Sequence, residues 1–169
     1  MSKIFYNNNR KIIGFGNNNA SIQFMLPTPP EFLNEGANID DIVALNGNHW
    51  RKIFVIIAKL CCKEKCWKAY RTDDLLNNVY LNFSTKPQFN KMLNFVCGKT
   101  HAQSIGIYKE ALTWQAIDEL FRVRINKELD AFSIIMTPYL DYRQFPNALI
   151  EQVKSNYSCD CSLSNEEPD

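Results

Sequence analysis

The sequence predicts one α/β domain of three layers, with helices on both sides of a mainly parallel central sheet of about four strands. Three observations carry this expectation. Strand-like and helical patterns alternate through the second half of the chain. The candidate strand at 91–97 is apolar on both faces, with Leu93, Phe95 and Cys97 on one and Met92 and Val96 on the other. Such a strand belongs between two covering layers. The length of 169 residues suits one domain with its own core. We place that domain at 1–158, followed by a short acidic tail at 159–169 whose composition predicts disorder.

The elements follow in chain order. Two candidate first strands lie at 11–16 and 21–26, and Pro27, Pro29 and Pro30 stop the second by removing ladder donors. A loop with one weak helical turn near 39–45 leads to a helix capped by Asn48. Its apolar face is Trp50, Ile53, Phe54, Ile57 and Leu60, and it runs to about Cys61, with room to continue toward Lys68. Residues 75–83 and 91–97 are expected strands, and a short helix at 100–104 ends at Gly106. A helix is expected from Thr113 to about Arg124, where Leu112 packs on Ile117 as a hydrophobic staple. Residues 132–136 form the last strand, which Pro138 ends. A final helix starts near Pro146 and turns Leu149, Val153 and Tyr157 inward.

Composition narrows the functional classes. The formal net charge of +1 gives no global pull toward nucleic acid or membrane, so any such surface must be a local patch. No apolar run approaches the roughly 20 residues of a membrane helix. Asn7, Asn8 and Asn9 stand where a secretory signal would be apolar. The expectation is a cytoplasmic protein that does not engage membranes. The six cysteines then read as free thiols. Cys62 and Cys66 would join Cys159 and Cys161 around zinc only if the tail folded back, so neither metal nor cofactor is expected.

Few residues suggest chemistry. Gly98-Lys99-Thr100 after a strand invites a phosphate-loop assignment, but Leu93 stands where that loop needs its first glycine. The turn then serves architecture, although amides at the start of its helix are able to meet one phosphate. His49 and His101 are the only histidines, and neither has a carboxylate at ligand spacing. Arg51, Lys52, Lys59, Lys63, Lys65, Lys68 and Arg71 make a basic run opposite the apolar helix face. A solvated surface explains it, and a phosphate backbone would also fit it. Tyr139, Tyr142 and Arg143 share the loop after the last strand, where they would stack on bases or pack on the core.

Taken in order, these pieces resemble the uracil-DNA glycosylase superfamily, and most of all its mismatch-specific branch. Gly47-Asn48-His49-Trp50-Arg51-Lys52 is similar to that branch's helix start. The strand and turn Phe95-Val96-Cys97-Gly98-Lys99-Thr100-His101-Ala102 resemble its Gly-Lys turn. Gly98, His101, Ala102, Gln103 and Gly106 resemble the corresponding turn of the uracil-specific branch. Gly14-Phe15-Gly16-Asn17-Asn18 is similar to the motif that holds the catalytic water, but lacks its proline. The loop Pro138-Tyr139-Leu140-Asp141 replaces the intercalating motif. Residues 47–52 and 138–144 also resemble a bacterial family that carries no known activity.

The resemblance implies a glycosylase-like sheet and a site in the loops after its strands. Its ligand contacts would be His49, Gly98, Lys99, Thr100, Tyr139, Tyr142 and Arg143. Asn17, Asn18 and Asp141 would be the catalytic candidates. The leading expectation is a protein that binds DNA or a nucleobase and has lost excision chemistry. One alternative is a protein-interaction scaffold without enzymatic activity. The other is an active glycosylase using a different carboxylate, Asp141.

Overall fold

The computed structural model describes residues 5–6, 12–31, 36–64, 66–107, 114–120, 122–129 and 132–156. Among them eight strands form one mixed sheet: β1 Phe5–Tyr6, β2 Ile12–Gly16, β3 Ile22–Met25, β4 Tyr80–Asn82, β5 Leu93–Cys97, β6 Gln115–Ala116, β7 Arg124–Leu129 and β8 Phe132–Thr137. Their order is β1-β2-β4-β3-β5-β8-β7-β6. The helices are α1 Ile39–Asn46, α2 Asn48–Cys61, α3 Trp67–Asp73, α4 Leu75–Asn78, α5 Lys99–Ser104 and α6 Asn147–Asn156.

This sheet corrects the expectation of a mainly parallel, four-stranded, glycosylase-like layer. Three pairings are parallel, β4 with β3, β3 with β5, and β5 with β8. The other four are antiparallel and extend the sheet on both sides. On one side β2 lies against β4. On the other, residues expected to cross over as a helix form a hairpin instead.

That hairpin replaces the helix expected at 113–124. Ile117 N donates to the Val123 carbonyl at 2.9 Å, and Asp118 accepts Val123 N at 2.9 Å and Arg122 Nε at 2.7 Å. These bonds close a turn before β7, whose Ile125 is buried beside Val123. The apolar residues at 117 and 120 mimic helical spacing, whereas Val123, Ile125 and the polar residues around them carry the two-residue period of a strand. Leu112, Thr113, Tyr157, Cys159, Cys161 and the tail at 159–169 lie outside the described residues.

Two smaller differences have local causes. The expected strand at 75–83 begins as α4, and only its end is β4. The weak turn near 39–45 is a full helix because Asn38 and Asp41 form a capping box: Asn38 Oδ1 accepts Asp41 N at 2.9 Å and Asp41 Oδ2 accepts Asn38 N at 3.1 Å. Gly47, at φ 76°, separates α1 from α2 and caps α2 in place of Asn48. α2 stops at Cys61 and does not reach Lys68.

The two faces of the sheet are covered differently. Phe15, Ile22, Phe24, Leu81, Phe95 and Ile135 face α1, α2, α4 and α6 and pack with Ile53, Phe54, Ile57, Leu75 and Leu149. Met25, Val96, Ile134 and Met136 form a smaller cluster on the other face, under Ala102 of α5 and under Phe89, Ile105, Ile107 and Trp114. Its neighbours on that face are polar: Gln23 of β3 and Asn94 of β5 are buried there. No helix among the described residues is long and apolar enough to cross a membrane.

Candidate functional site

The three parallel pairings fix where a site would form. From β3 the chain returns as β4 on one side, and from β5 it returns as β8 on the other. The boundary between β3 and β5 is therefore a topological switch point, and ligands of open α/β sheets bind outside the carboxyl ends of the strands there. Gly98 follows β5 at that end, residues 138–145 follow β8, and α2 starts nearby.

These segments converge on one aromatic pair. His49 in the first turn of α2 stacks on Tyr139, with ring centroids 5.6 Å apart and planes 13° from parallel. Tyr139 Oη and His49 Nε2 are 3.0 Å apart, within hydrogen-bond distance. Beneath them, Gly98 takes φ 93°, a value that L side chains rarely adopt, and its N–H donates to the Thr137 carbonyl at 2.9 Å. A Cβ at Gly98 would stand 3.4 Å from the Tyr139 ring, an ordinary contact, so it is the positive φ that calls for glycine there. Burial, together with the neighbouring Cys97, pushes the Tyr139 hydroxyl up to about 12. It therefore stays protonated at neutral pH. Cys97 is itself fully buried, and burial pushes its thiol up to about 12.

The loop after β8 is tied to α2 by charge. Lys52 Nζ lies 2.8 Å from Asp141 Oδ2, while Asp141 Oδ1 accepts Arg143 N at 3.0 Å. The bond from Lys52, aided by the Arg143 amide, holds the Asp141 carboxyl below the usual carboxylate range. Both carboxylate oxygens are thus engaged in holding the loop. From there a ladder of alternating cations and rings follows the outer side of α2. Lys52 and Lys59 each lie 5.9 Å from the Tyr142 ring centroid. Lys59 lies 5.0 Å from the Trp67 ring, and Lys68 lies 5.8 Å from it. Lys59 and Trp67 also border a cleft of about 500 Å³ with Lys63 and Lys154, where Glu64 and Glu151 supply the opposing charge.

The residues expected from sequence divide into two groups. His49, Gly98, Tyr139, Asp141, Tyr142 and Arg143 lie together at the carboxyl ends of the parallel strands, and exposed Lys99 and Thr100 begin α5 beside them. Asn17 and Asn18 lie at the opposite end. β2 runs antiparallel to β4, and its last residue Gly16 pairs with Tyr80, the first residue of β4. Asn17 there anchors the turn, donating from Nδ2 to the Asn77 carbonyl at 2.7 Å and accepting Asn19 N at 2.9 Å. The water-holding role that the resemblance gave these asparagines therefore has no partner loop. Trp67 was not a sequence candidate, because only the break between α2 and α3 brings it back over Lys59. Arg71 pairs with Asp40 at 3.1 Å and thus ties α3 to α1.

Cys61, Cys62 and Cys97 are buried, and Cys66 is exposed. Among the described residues no group of three or more His, Cys, Asp or Glu side chains is arranged to hold a metal ion. A family model described as "Family of unknown function (DUF6942)" matches residues 13–158, and the chain belongs to that family. No curated protein and no solved structure matches the chain.

Proposed function

We propose that this member of DUF6942 binds single-stranded nucleic acid or an unpaired base, without excising it. The observation that supports the reading is the ladder Lys52–Tyr142–Lys59–Trp67–Lys68, with the His49–Tyr139 stack at its head. Single-strand binders combine cations that follow the phosphates with rings on which bases stack. Here the cations and rings alternate along one surface. Phosphates meet Lys52, Lys59 and Lys63, and a base lies on the exposed His49 ring. The motif likeness of residues 47–52 and 98–106 to uracil-DNA glycosylases is a second support, resting on those motifs alone.

Excision needs a placed water and a base or nucleophile free to act. Asp141 is committed to Lys52 and to the Arg143 amide, and Asn17 is remote from it, so the proposal is one of binding. Fluorescence anisotropy with a labelled single-stranded oligonucleotide tests it. Binding should fall steeply with added salt. Lys59→Glu and Trp67→Ala should each weaken it by about tenfold, the scale of one lost stacking or phosphate contact. Absence of binding at low salt would sink the proposal and leave this surface to a protein partner.

A further inference from the structure

The second face of the sheet carries a feature that the α2 surface does not explain. Paired residues on adjacent strands share a face, so Gly14, Tyr80, Asn82, Gln23 and Asn94 all stand on this one. Toward β8 the face is apolar and covered. Toward β2 it opens into a cleft of about 390 Å³ beneath residues 84–91. That volume lies in the range of small-molecule sites, roughly 300–1,000 Å³.

The floor of the cleft is a row of bonded amides. Asn82 Nδ2 donates to Gln23 Oε1 at 3.1 Å, and Gln23 Nε2 donates to Asn94 Oδ1 at 2.6 Å. Gln23 Nε2 also donates to the Gln88 carbonyl at 2.8 Å, which ties the floor to the covering loop. Buried amides stabilise only when fully bonded, and apolar residues would close this face at lower cost. The row keeps the face polar and the loop fixed, while the cleft stays open. The ring of Tyr80 lies over Gly14, where any Cβ would collide with its hydroxyl.

The charge of the lining is one-sided. Lys86 and Lys91 border the cleft with Ser84, and among the described residues no carboxylate does. The cleft beside Trp67 and the one lined by Cys61, Cys62 and Cys66 both include Glu64. Burial pushes the Lys91 ammonium below its ordinary value, a penalty that a bound anion would offset.

We infer that this cleft binds a phosphate monoester of a small sugar, with Lys86 and Lys91 on the phosphate and Ser84, Asn82 and Tyr80 toward the sugar hydroxyls. Lysine ammonium groups suit a phosphate, and amides and hydroxyls suit the paired donors and acceptors of a sugar. The site lies across the sheet from the α2 ladder and stands or falls independently of nucleic-acid binding.

Titration calorimetry on the full chain with ribose 5-phosphate, ribose, inorganic phosphate and adenosine monophosphate tests the inference. Ribose 5-phosphate should bind, and ribose and inorganic phosphate should each bind about tenfold more weakly or less. Lys86→Gln, at an exposed position, should cost about tenfold in affinity and leave the melting temperature unchanged. Adenosine monophosphate binding with the same lysine dependence would support the phosphate-ester site and identify nucleotides as its source. The inference is overturned if neither ester binds at millimolar concentration. It is also overturned if inorganic phosphate binds as well as ribose 5-phosphate, or if binding survives both Lys86→Gln and Lys91→Gln.

Discussion

Tyr139 and His49 are stacked and hydrogen-bonded to one another, with planes 13° apart and 3.0 Å between Oη and Nε2. The contact joins the loop after β8 to the first turn of α2, two segments 90 residues apart. It therefore sets the spacing of the two sides of the candidate site. Tyr139→Phe keeps the ring on Gly98 and removes one hydrogen bond, worth about 0.5–1.5 kcal/mol net. His49→Ala removes the exposed ring and should reduce oligonucleotide affinity by about five- to a hundredfold, the range of one base–aromatic stack of roughly 1–3 kcal/mol. Anisotropy titrations of the two variants separate these effects. Equal affinities in His49→Ala and the wild type would exclude the ring as a stacking platform.

Gly98 is expected to tolerate no side chain without a thermal cost. At φ 93° and ψ 136° an L residue is strained by about 1–3 kcal/mol, and the added Cβ would rest against the Tyr139 ring at 3.4 Å, an ordinary contact. Gly98→Ala should lower the melting temperature by roughly 2–12 °C for a domain of this size. Relief of the backbone strain should also shift the turn bonded to Thr137, move Tyr139 with it, and weaken oligonucleotide binding. Gly47→Ala is the control, since it shares the positive φ but its Cβ would meet nothing within 4 Å. It should lower the melting temperature and leave binding intact.

The Lys52–Asp141 pair gives a pH signature. The Asp141 carboxyl is held below its ordinary value in the folded protein. Its stabilising effect is therefore complete above the unfolded carboxylate pKa of about 3.9 and fades as pH falls through the lower folded value. Asp141→Asn should melt at a lower temperature than the wild type at pH 7, and the gap should narrow below about pH 4. Thermal melts at pH 7, 5 and 3 decide it. A gap that is unchanged at pH 3 would show that the ion pair is not its source. If Asp141 were instead a catalytic base, Asp141→Asn would abolish an activity and leave the melts alone.

Legibility in the sequence followed local pattern. α2 was readable because Trp50, Ile53, Phe54, Ile57 and Leu60 repeat along one face. β5 was readable because Leu93, Phe95 and Cys97 line one face and Val96 the other. The hairpin at 115–129 was not, because Ile117 and Leu120 fall at helical spacing, while the bonds that Asp118 accepts from Arg122 and Val123 to make the turn leave no mark in that spacing. Sheet order was equally hidden, since nothing local to β2 specifies that it pairs with β4 and not with β3. This one pairing carries Asn17 and Asn18 to the far end of the sheet, away from the other residues that motif order had grouped with them. Conversely, the Asn82–Gln23–Asn94 row was invisible because its central member lies 59 residues from one partner and 71 from the other.

His101 offers a second pH effect, of opposite chemical type. The residue is 7% exposed, and its Nε2 has no hydrogen-bond partner among the described residues. Burial pushes the imidazole below its ordinary value, so the fold holds it neutral. The unfolded chain takes up the proton first, at its pKa of about 6.5, and stability is lost as pH falls from there toward the lower folded value. A buried donor or acceptor left unpaired costs about 1–3 kcal/mol, so His101→Leu should be neutral or stabilising at pH 7.5. Melting curves from pH 7.5 to 5 should show the wild type losing stability below about pH 6.5 and His101→Leu losing less. Parallel curves for the two proteins would mean that another group, and not His101, takes up the proton.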